Sequence, residues 1–372
     1  MFEQMNIFDV MYPTISIDKP IRLLEFFAGI GAQAMALRNL GVQYENWKTC
    51  EWEVHANASY HQIHNPGDTT DYSAEKTDEE LIEYLTNKGI STNGKNPMTE
   101  AQIRSHQNGV EWRKKVYNDI ISCHNLVNIS QTKGENLEII DTDKFCYLLT
   151  YSFPCQDLSL AGKRRGMAKG SGTRSGLLWE VERLLNEVSE LPQILLMENV
   201  PAIMGEGNRE HFGEWQDFLR SKGYSNYAEI INAKDYGVAQ NRERCFMVSI
   251  LGEINYKFPT SVPLRRTMND YLDDVVPEKY YINSPKAQEL IVDLRERGQL
   301  DGISKTIRGG GGTAYSAILH TAERSVHGWK SVTTKLKKKI QSWLCSYRQG
   351  RTRSIFTIIS TTAQKYALSE GG

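Results

Sequence analysis

Short apolar runs alternate with amphipathic segments along most of the chain. Residues 21–26 form an apolar run that ends in a glycine turn, and residues 32–40 have the Ala, Met and Leu content of a helix closed by Gly41. The later strand-like and helix-like runs lie at residues 47–52, 147–152, 177–188, 194–197, 214–221 and 245–251. Strands that alternate with helices predict an α/β fold with a mostly parallel sheet.

A long polar stretch interrupts this alternation at about residues 65–135. Within it, Thr77-x-x-Glu80 and Thr99-x-x-Gln102 are capping-box patterns, each of which opens a helical segment. We therefore expect a helical insertion in the sheet rather than a disordered linker.

The pattern becomes irregular after Pro259, where Pro, Gly and basic residues cluster. We therefore divide the chain into a main domain of residues 1–255 and a second region of residues 256–372. The charge is also uneven: residues 301–372 carry a balance of +9, whereas residues 1–300 carry −10. This asymmetry indicates contact between the C-terminal part and a polyanion, with a solvated basic tail as the alternative.

Several classes of protein are disfavoured by composition. The chain has no 18-residue apolar run, and its first 20 residues lack the basic and apolar segments of a signal peptide. Its six cysteines are scattered and none forms a C-x-x-C pair, which disfavours a zinc site or a disulfide framework. We expect a cytoplasmic protein without a metal ion or a membrane partner.

The first candidate site is the turn Phe27-Ala28-Gly29-Ile30-Gly31 between a strand and a helix. Glycines allow the backbone to approach a nucleotide-like ligand, and an acidic residue about 20 positions later commonly binds a ribose hydroxyl. Glu51 has this spacing from Gly31. The turn indicates a nucleotide or adenosyl ligand, and an ordinary tight turn is the alternative.

The second candidate is Cys155, in a loop that follows the strand at 147–152. A cysteine directly after proline in a polar loop is a candidate nucleophile, and the basic residues at 163–165 would favour its thiolate. Most single cysteines are instead small buried hydrophobic residues.

Two further polar motifs lie beside strands. Glu198 follows a buried apolar run, where a carboxylate is costly without a task or an ion-pair partner. Arg242 and Arg244 occupy alternate positions and so face the same side of a strand. They can hold phosphate or carboxylate groups, or form a solvated strand end. In parallel α/β sheets, ligands bind beyond the carboxyl ends of the strands, where most of these motifs lie.

Taken in order, these motifs form a pattern that resembles the C5-cytosine DNA methyltransferases, in particular the bacterial and phage members. The segments that carry the resemblance are Phe27-Ala28-Gly29-Ile30-Gly31, Pro154-Cys155-Gln156, Glu198-Asn199-Val200 and Gln240-Asn241-Arg242-Glu243-Arg244. Similarity continues at residues 172–177 and 232–237, so the resemblance covers about residues 20–252.

The resemblance implies a Rossmann-like sheet that binds S-adenosylmethionine and a small, partial target-recognition region in residues 256–372. It implies methyl transfer to C5 of a cytosine flipped out of duplex DNA. Cys155 would add to C6 as a thiolate and Glu198 would stabilise charge at N3. Arg244 would contact the oxygen at C2, with Arg242 orienting the site.

The resemblance also implies binding residues. Those for S-adenosylmethionine would be Phe27, Gly29, Gly31, Glu51, Trp52, Asn136 and Leu177. Asn136 stands where the family has an acidic residue against the adenine. Those for DNA would be Gln156, Ser159, Arg165 and Gln240.

The C-terminal part departs from the family pattern. An R-x-L-T segment and a G-N-S-V-like segment, which complete the family's catalytic domain, are not found after residue 252. Residues 313–372 look unlike the family, as a truncation or a frameshift would produce. We therefore expect weak or absent activity for the isolated chain, which methylation of plasmid DNA by the purified protein would refute.

Three alternatives remain open. One is an RNA cytosine-5 methyltransferase on the same scaffold, and a second is a non-catalytic remnant that binds DNA. A third, a nicotinamide enzyme, accounts for the glycine turn and leaves the other motifs unexplained. As partners we expect double-stranded DNA and a cognate restriction endonuclease, and we expect the protein to be a monomer.

Overall fold

The computed structural model describes residues 17–154, 167–170 and 174–267, and six further positions between 289 and 305. The strands in this part of the chain are β1 (Ile21–Phe26), β2 (Tyr44–Cys50), β3 (Cys146–Tyr151), β4 (Ile194–Asn199), β5 (Tyr224–Asn232), β6 (Gln240–Asn241), β7 (Glu243–Leu251) and β8 (Ser304–Lys305). Its α-helices are α1 (Ala32–Asn39), α2 (Val54–His64), α3 (Asp78–Lys88), α4 (Glu100–Arg104), α5 (Gly109–Ser122), α6 (Leu178–Glu187) and α7 (Arg209–Ser221).

Six of the strands form one sheet in the order β2-β1-β3-β4-β7-β5. Strands β2, β1, β3 and β4 run parallel to one another, whereas β7 runs antiparallel to β4. Every residue of the central strand β3 is buried, as its continuous apolar run requires when both faces of a parallel sheet are covered. The predicted α/β fold with a mostly parallel sheet is confirmed.

One core lies between the sheet and the helices that follow β3 and β4. It includes Leu149 and Tyr151 of β3, Leu195 of β4, Leu184 of α6 and Trp215 of α7. The apolar spacing along α6 and α7 therefore buries one face of each helix and leaves the other polar. This packing holds the ends of β3 and β4. The predicted catalytic residue Cys155 follows β3 in the chain, and Glu198 lies at the end of β4.

The predicted helical insertion is present and has a core of its own. Both capping boxes form, with the side chains of Thr77 and Thr99 accepting bonds from the backbone N–H groups of Glu80 and Gln102. The buried residues of this core are Val54, Ile82, Leu85, Ile90, Ile103, Val116, Ile120 and Val127. The insertion is thus a packed helical layer placed between β2 and β3 in the chain.

The described residues divide into two compact units. The larger one contains the described residues between 17 and 229 together with Cys245–Lys257, and the second contains Ile230–Arg244 and the described residues from Phe258 onward. In the second unit, Asp235 accepts a bond from the backbone N–H of Val262. These contacts explain why Ile230–Arg244, which the sequence analysis places with residues 1–255, groups with the later segment.

The ends of several elements differ from the sequence-based expectation. Strand β2 covers Tyr44–Cys50 rather than residues 47–52, so Glu51 and Trp52 lie in the loop. Strand β4 continues through Glu198 to Asn199, because β7 pairs with it along its whole length. No helix among the described residues is long and apolar enough to cross a membrane.

Candidate active site

Neighbouring strands of the sheet end level with one another along one edge. Phe26 of β1 pairs with Cys50 of β2 and with Tyr151 of β3, and Tyr151 pairs with Met197 of β4. The residues that directly follow this row are Phe27, Glu51, Ser152 and Glu198. The register therefore brings three separate motifs of the sequence to the edge formed by the carboxyl ends of the parallel strands, where ligands bind in sheets of this kind.

The glycine turn after β1 is built from left-handed backbone conformations. Phe27, Gly29 and Gly31 have φ angles of 56°, 56° and 77°. The N–H of Phe27 donates to the carbonyl of Cys50 at 2.8 Å, which ties the turn to the end of β2. A left-handed conformation costs an L-residue about 1–2 kcal/mol, so Phe27 holds a strained position at this edge.

Gly31 is required by close packing as well as by its φ angle. A Cβ atom at this position would lie 2.2 Å from Nε2 of His64 and 2.6 Å from the ring of Tyr60, both on α2. His64 Nε2 lies 3.1 Å from the carbonyl oxygen of Ile30. A Cβ atom added to Gly29, by contrast, would have no heavy atom of the described residues within 4 Å, so the turn leaves open space there.

The buried carboxylate of Glu25 supports this turn from inside β1. It accepts bonds from the N–H groups of Gln33 and Ala34 in the first turn of α1, each at 3.2 Å, and from the Tyr60 hydroxyl at 2.6 Å. The N-cap residue of α1 is a glycine without a side chain, so Glu25 satisfies N–H groups that such a cap leaves open.

Glu51 follows β2 and faces the glycine turn. Its carboxylate accepts the N–H of Gly29 at 2.9 Å and the N–H of Glu53 at 2.8 Å. Burial raises the pKa of Glu51, and the two backbone donors oppose that rise. Glu53 in turn caps α2 by accepting from the N–H groups of His55 and Ala56. The two parts of the first sequence motif, Glu51 and the glycine turn, therefore lie in direct contact.

The other residues predicted to bind a donor occupy different surroundings. Phe27 and Leu177 are partly buried against the main core, whereas Trp52 packs against the core of the insertion. Asn136 lies in a 3₁₀ turn, where its side-chain oxygen accepts the N–H of Lys133 at 2.9 Å. That turn is held to α6 by a bond from the N–H of Gly134 to Glu187 at 2.8 Å. The structure thus gives Asn136 a capping contact within its own turn.

Two buried polar side chains hold the backbone that leads to the predicted nucleophile. Asn199 Nδ2 donates to the carbonyl of Phe153 at 3.1 Å, and Ser175 Oγ donates to the carbonyl of Pro154 at 2.8 Å. Proline has no N–H, so its carbonyl is the backbone group available for such an anchor. The predicted residues Cys155, Gln156, Ser159 and Arg165 lie outside the described residues.

Glu198 is the penultimate residue of β4 and is half-buried, while both of its neighbours in the strand are buried. It pairs with Phe246 across the antiparallel contact with β7. Its position in the strand fixes its backbone, and alternation along the strand separates its side chain from that of Asn199. The E-N-V motif therefore presents a carboxylate on one side and the loop anchor Asn199 on the other.

The predicted arginines belong to the second unit. Arg242 lies between β6 and β7 and Arg244 lies in β7; both are half-buried, while Asn241 and Glu243 are exposed. The backbone of Arg242 exchanges hydrogen bonds with Asn232 Oδ1 and the N–H of Ala233. Gln240 lies in β6, one residue before Asn241, and pairs with Ser304.

The described cysteines are poor candidates for a nucleophile. Cys50, Cys123, Cys146 and Cys245 are all buried. Burial raises the pKa of Cys123 to about 12, of Cys146 to about 11 and of Cys245 to about 12, and it also raises the pKa of Cys50. Each thiol is therefore held in its unreactive neutral form at neutral pH.

Some residues at this edge carry no recognisable signal in the sequence. Asn125 bonds the backbone of Glu51 and is itself bonded to Asn57, while Ser175 and Asn199 bond the backbone carbonyls at the start of the cysteine loop. Asn199 is the middle residue of E-N-V, so that motif does include it. The other three are ordinary polar residues in the sequence, and they are recognised as special because they are buried and hydrogen-bonded.

Comparison with known proteins identifies a protein family whose sequence profile matches this chain. The sequence profile of the family described as C-5 cytosine-specific DNA methylase matches residues 97–367. The match includes most of the segment from residue 313 onward that the sequence analysis sets apart from the family.

Curated relatives support the same family. The chain is similar to the orphan methyltransferase M.SssI of Spiroplasma monobiae, with 41% identity over 72% of this chain and 68% of that protein. It is also similar to the type II methyltransferase M2.ScrFI of Lactococcus lactis, with 34% identity over 72% of each chain. The solved structure of the Entamoeba histolytica methyltransferase EhMeth has the same fold, with a TM-score of 0.52 and 15% identity, over 94% of this chain and 98% of that one.

Proposed function

Because the chain belongs to the family of C-5 cytosine-specific DNA methylases, we propose that it transfers a methyl group from S-adenosylmethionine to C5 of a cytosine in duplex DNA, through a covalent adduct with Cys155. The observation that carries this proposal is the strand register. It places the glycine turn with Glu51, the entry to the cysteine loop and Glu198 along one edge of the sheet.

The turn after β1 fits an adenosyl ligand. Gly29 leaves open space at its Cα, and the desolvated carboxylate of Glu51 lies beside it as an acceptor for ribose hydroxyls. Phe27 and Trp52 would supply apolar contacts, and Gly31, Asn136 and Leu177 complete the proposed binding set, with Asn136 against the adenine. When bound, S-adenosylmethionine supplies an electrophilic methyl group on a sulfonium centre.

Side chains of the protein would activate the cytosine for methylation. Cytosine C5 is a weak nucleophile, and bond formation between the Cys155 sulfur and C6 moves an electron pair toward C5 and N3. Glu198 would stabilise that charge by sharing a proton with N3. After C5 is methylated, a base removes the C5 proton, the C5–C6 double bond re-forms and the sulfur leaves. Arg244 would contact the oxygen at C2, and Arg242 would orient the site.

The proposed partner is double-stranded DNA, from which the target base is flipped at a cost of a few kcal/mol. Gln156, Ser159, Arg165 and Gln240 are the proposed DNA contacts. We further propose that the protein acts in the cytoplasm as a monomer. Since one relative is named a type II methyltransferase, a cognate restriction endonuclease is a further proposed partner.

The experiment that tests the proposal compares two substrates. The full chain is incubated with methyl-labelled S-adenosylmethionine and either duplex DNA or transfer RNA, and the labelled nucleoside is identified chromatographically. The proposal expects 5-methylcytosine in DNA, with none formed by Cys155→Ala. Label in transfer RNA alone would support an RNA methyltransferase, and DNA binding without any donor binding would support a non-catalytic DNA-binding protein.

A further inference from the structure

Asn125 is a buried polar residue that the reaction described above does not use. It follows α5 by three positions, where the chain runs beside the end of β2: the N–H of Leu126 donates to the carbonyl of Thr49 at 2.8 Å, and Thr49 forms a parallel bridge with Asn125. The side chain is 5% exposed. A buried amide is costly unless its donors and acceptors are satisfied, so its contacts indicate its role.

The carboxamide of Asn125 uses both of its polar atoms twice. Its Oδ1 accepts the N–H groups of Glu51 at 3.0 Å and Val127 at 2.9 Å. Its Nδ2 donates to the carbonyl of Glu51 at 2.9 Å and to Oδ1 of Asn57 at 2.9 Å. These four bonds saturate an asparagine side chain, and two of them hold the N–H and C=O of the same residue, Glu51.

The two bonds from Asn125 hold the main chain of Glu51, a residue whose side chain is itself directed by backbone N–H groups. Once the main chain of Glu51 is fixed, its carboxylate reaches the N–H groups of Gly29 and Glu53. The insertion also holds Trp52, the next residue, because the N–H of Ser91 donates to the carbonyl of Trp52 at 2.7 Å. The insertion therefore supports the loop after β2 through two separate sets of contacts.

We propose that Asn125, supported by Asn57 on α2, is a positioning residue of the donor site, and that the helical insertion thereby sets the affinity for S-adenosylmethionine. The inference rests on the proposed function, because it assigns the Glu51 carboxylate to the donor ribose. Asn125 acts through Glu51 and does not contact the donor. Its amide replaces, at the end of β2, the hydrogen bonds that a neighbouring strand would supply.

The most informative substitution is Asn125→Asp, which keeps the shape of the side chain. It replaces the Nδ2 donor by an oxygen that faces two acceptors, the carbonyl of Glu51 and Oδ1 of Asn57, and it adds a negative charge beside a desolvated carboxylate. We expect the Kd for S-adenosylmethionine, measured by calorimetry on the full chain, to rise at least about tenfold. At saturating donor, kcat should stay within about twofold, because the cytosine site is unchanged.

A matched control is Asn65→Asp in the same insertion. Asn65 ends α2, and its Nδ2 donates to the carbonyl of Ser122 at 2.7 Å, so this substitution also breaks an amide-to-backbone bond between helices. The bond that this substitution breaks involves neither Glu51 nor the turn after β1. The inference expects both variants to lower the melting temperature, and only Asn125→Asp to weaken donor binding.

The outcomes separate the two proposals. If the wild-type chain does not bind S-adenosylmethionine, the proposed function fails. If the wild type binds the donor and Asn125→Asp binds it equally well, or if Asn65→Asp weakens binding as much, the positioning role alone is overturned. Should Asn125→Asp not fold, Asn57→Ala decides: it removes one of the four bonds and is expected to raise the Kd about threefold to fivefold, and an unchanged Kd would refute the inference.

Discussion

Gly29 and Gly31 share a left-handed backbone in the turn after β1, but they differ in their surroundings. Gly31 lies against His64 and Tyr60 of α2, whereas among the described residues none crowds the Cα of Gly29. Position 29 favours glycine because of its left-handed φ angle and the space that it leaves for a ligand. Position 31 favours glycine because of its left-handed φ angle and its close packing against α2. The sequence pattern alone does not distinguish these roles.

We predict that Gly31→Ala destabilises the protein by about 3 kcal/mol, the sum of left-handed strain and overpacking against His64. Gly29→Ala has only the strain and should cost about 1 kcal/mol. Urea unfolding of both variants measures the difference. Equal losses of stability would contradict the assigned packing of α2 on the turn.

Ser175 offers a test of the anchors on the cysteine loop. Ser175→Ala removes the bond to the carbonyl of Pro154 without adding volume, so the backbone directly before Cys155 should be held less firmly and the rate of methyl transfer should fall about tenfold. Ser249→Ala is the matched control, because Ser249 is equally buried and its hydroxyl has no hydrogen-bond partner among the described residues. Ser249→Ala should leave the rate unchanged, and a similar loss in both variants would refute the anchor.

Glu51 should make stability depend on pH. Burial raises its pKa in the folded state above the unfolded value of about 4.3, so the folded protein binds this proton more tightly. The resulting stabilisation is complete below the unfolded pKa and is lost as the pH rises through the folded pKa. Relative to Glu51→Gln, the wild type should therefore gain free energy of unfolding as the pH falls from 7 toward 4. Chemical unfolding of both proteins at each pH measures this difference. A difference independent of pH would contradict this.

At the scale of elements, one arginine connects three helices of the insertion. Arg113 of α5 is 4% exposed; it forms paired bonds of 2.6 and 2.7 Å with Asp78 at the start of α3 and donates to the carbonyls of Ile103 and Arg104 at the end of α4. A planar guanidinium suits this geometry because it presents several donors in fixed directions.

We predict that Arg113→Leu lowers the free energy of unfolding by about 3 kcal/mol, since it removes charge-assisted bonds and leaves two carbonyls without their donor. Arg113→Lys keeps the charge but loses the paired geometry, and should recover only part of this loss. If Arg113→Lys is as stable as the wild type in thermal unfolding, the fork geometry is unimportant.

Elements with strong periodicity were predictable from the sequence, and those defined by distant contacts were not. Strands β1, β3, β4 and β7 and the two capping boxes follow from apolar runs and local capping patterns. Strand β5 (Tyr224–Asn232) lies at the edge of the sheet and mixes polar with apolar residues, most of them half-buried or exposed, so no continuous apolar run marks it. The clamp of Asn125 on Glu51 joins residues 74 positions apart, and local patterns carry no information on such a contact.

At the scale of the whole molecule, the order of the motifs along the chain indicated the family before any geometry was known. Comparison with known proteins bears out that resemblance, and the sheet explains it, because parallel strands bring distant motifs to one edge. The division of the described residues assigns the arginine motif to the second unit, which the alternation of strands and helices did not predict.

The central step of the proposed reaction is a covalent bond between Cys155 and cytosine. The direct measurement uses duplex DNA in which 5-fluorocytosine replaces cytosine, together with S-adenosylmethionine. A base can remove a proton from C5 but cannot remove fluorine, so the sulfur is not released and the adduct persists. Mass spectrometry of the digested complex should find the modified nucleotide on the peptide that contains Cys155, and Cys155→Ala should give no complex. Methyl transfer to ordinary cytosine with no trapped species, or a trapped species on another cysteine, would contradict the mechanism.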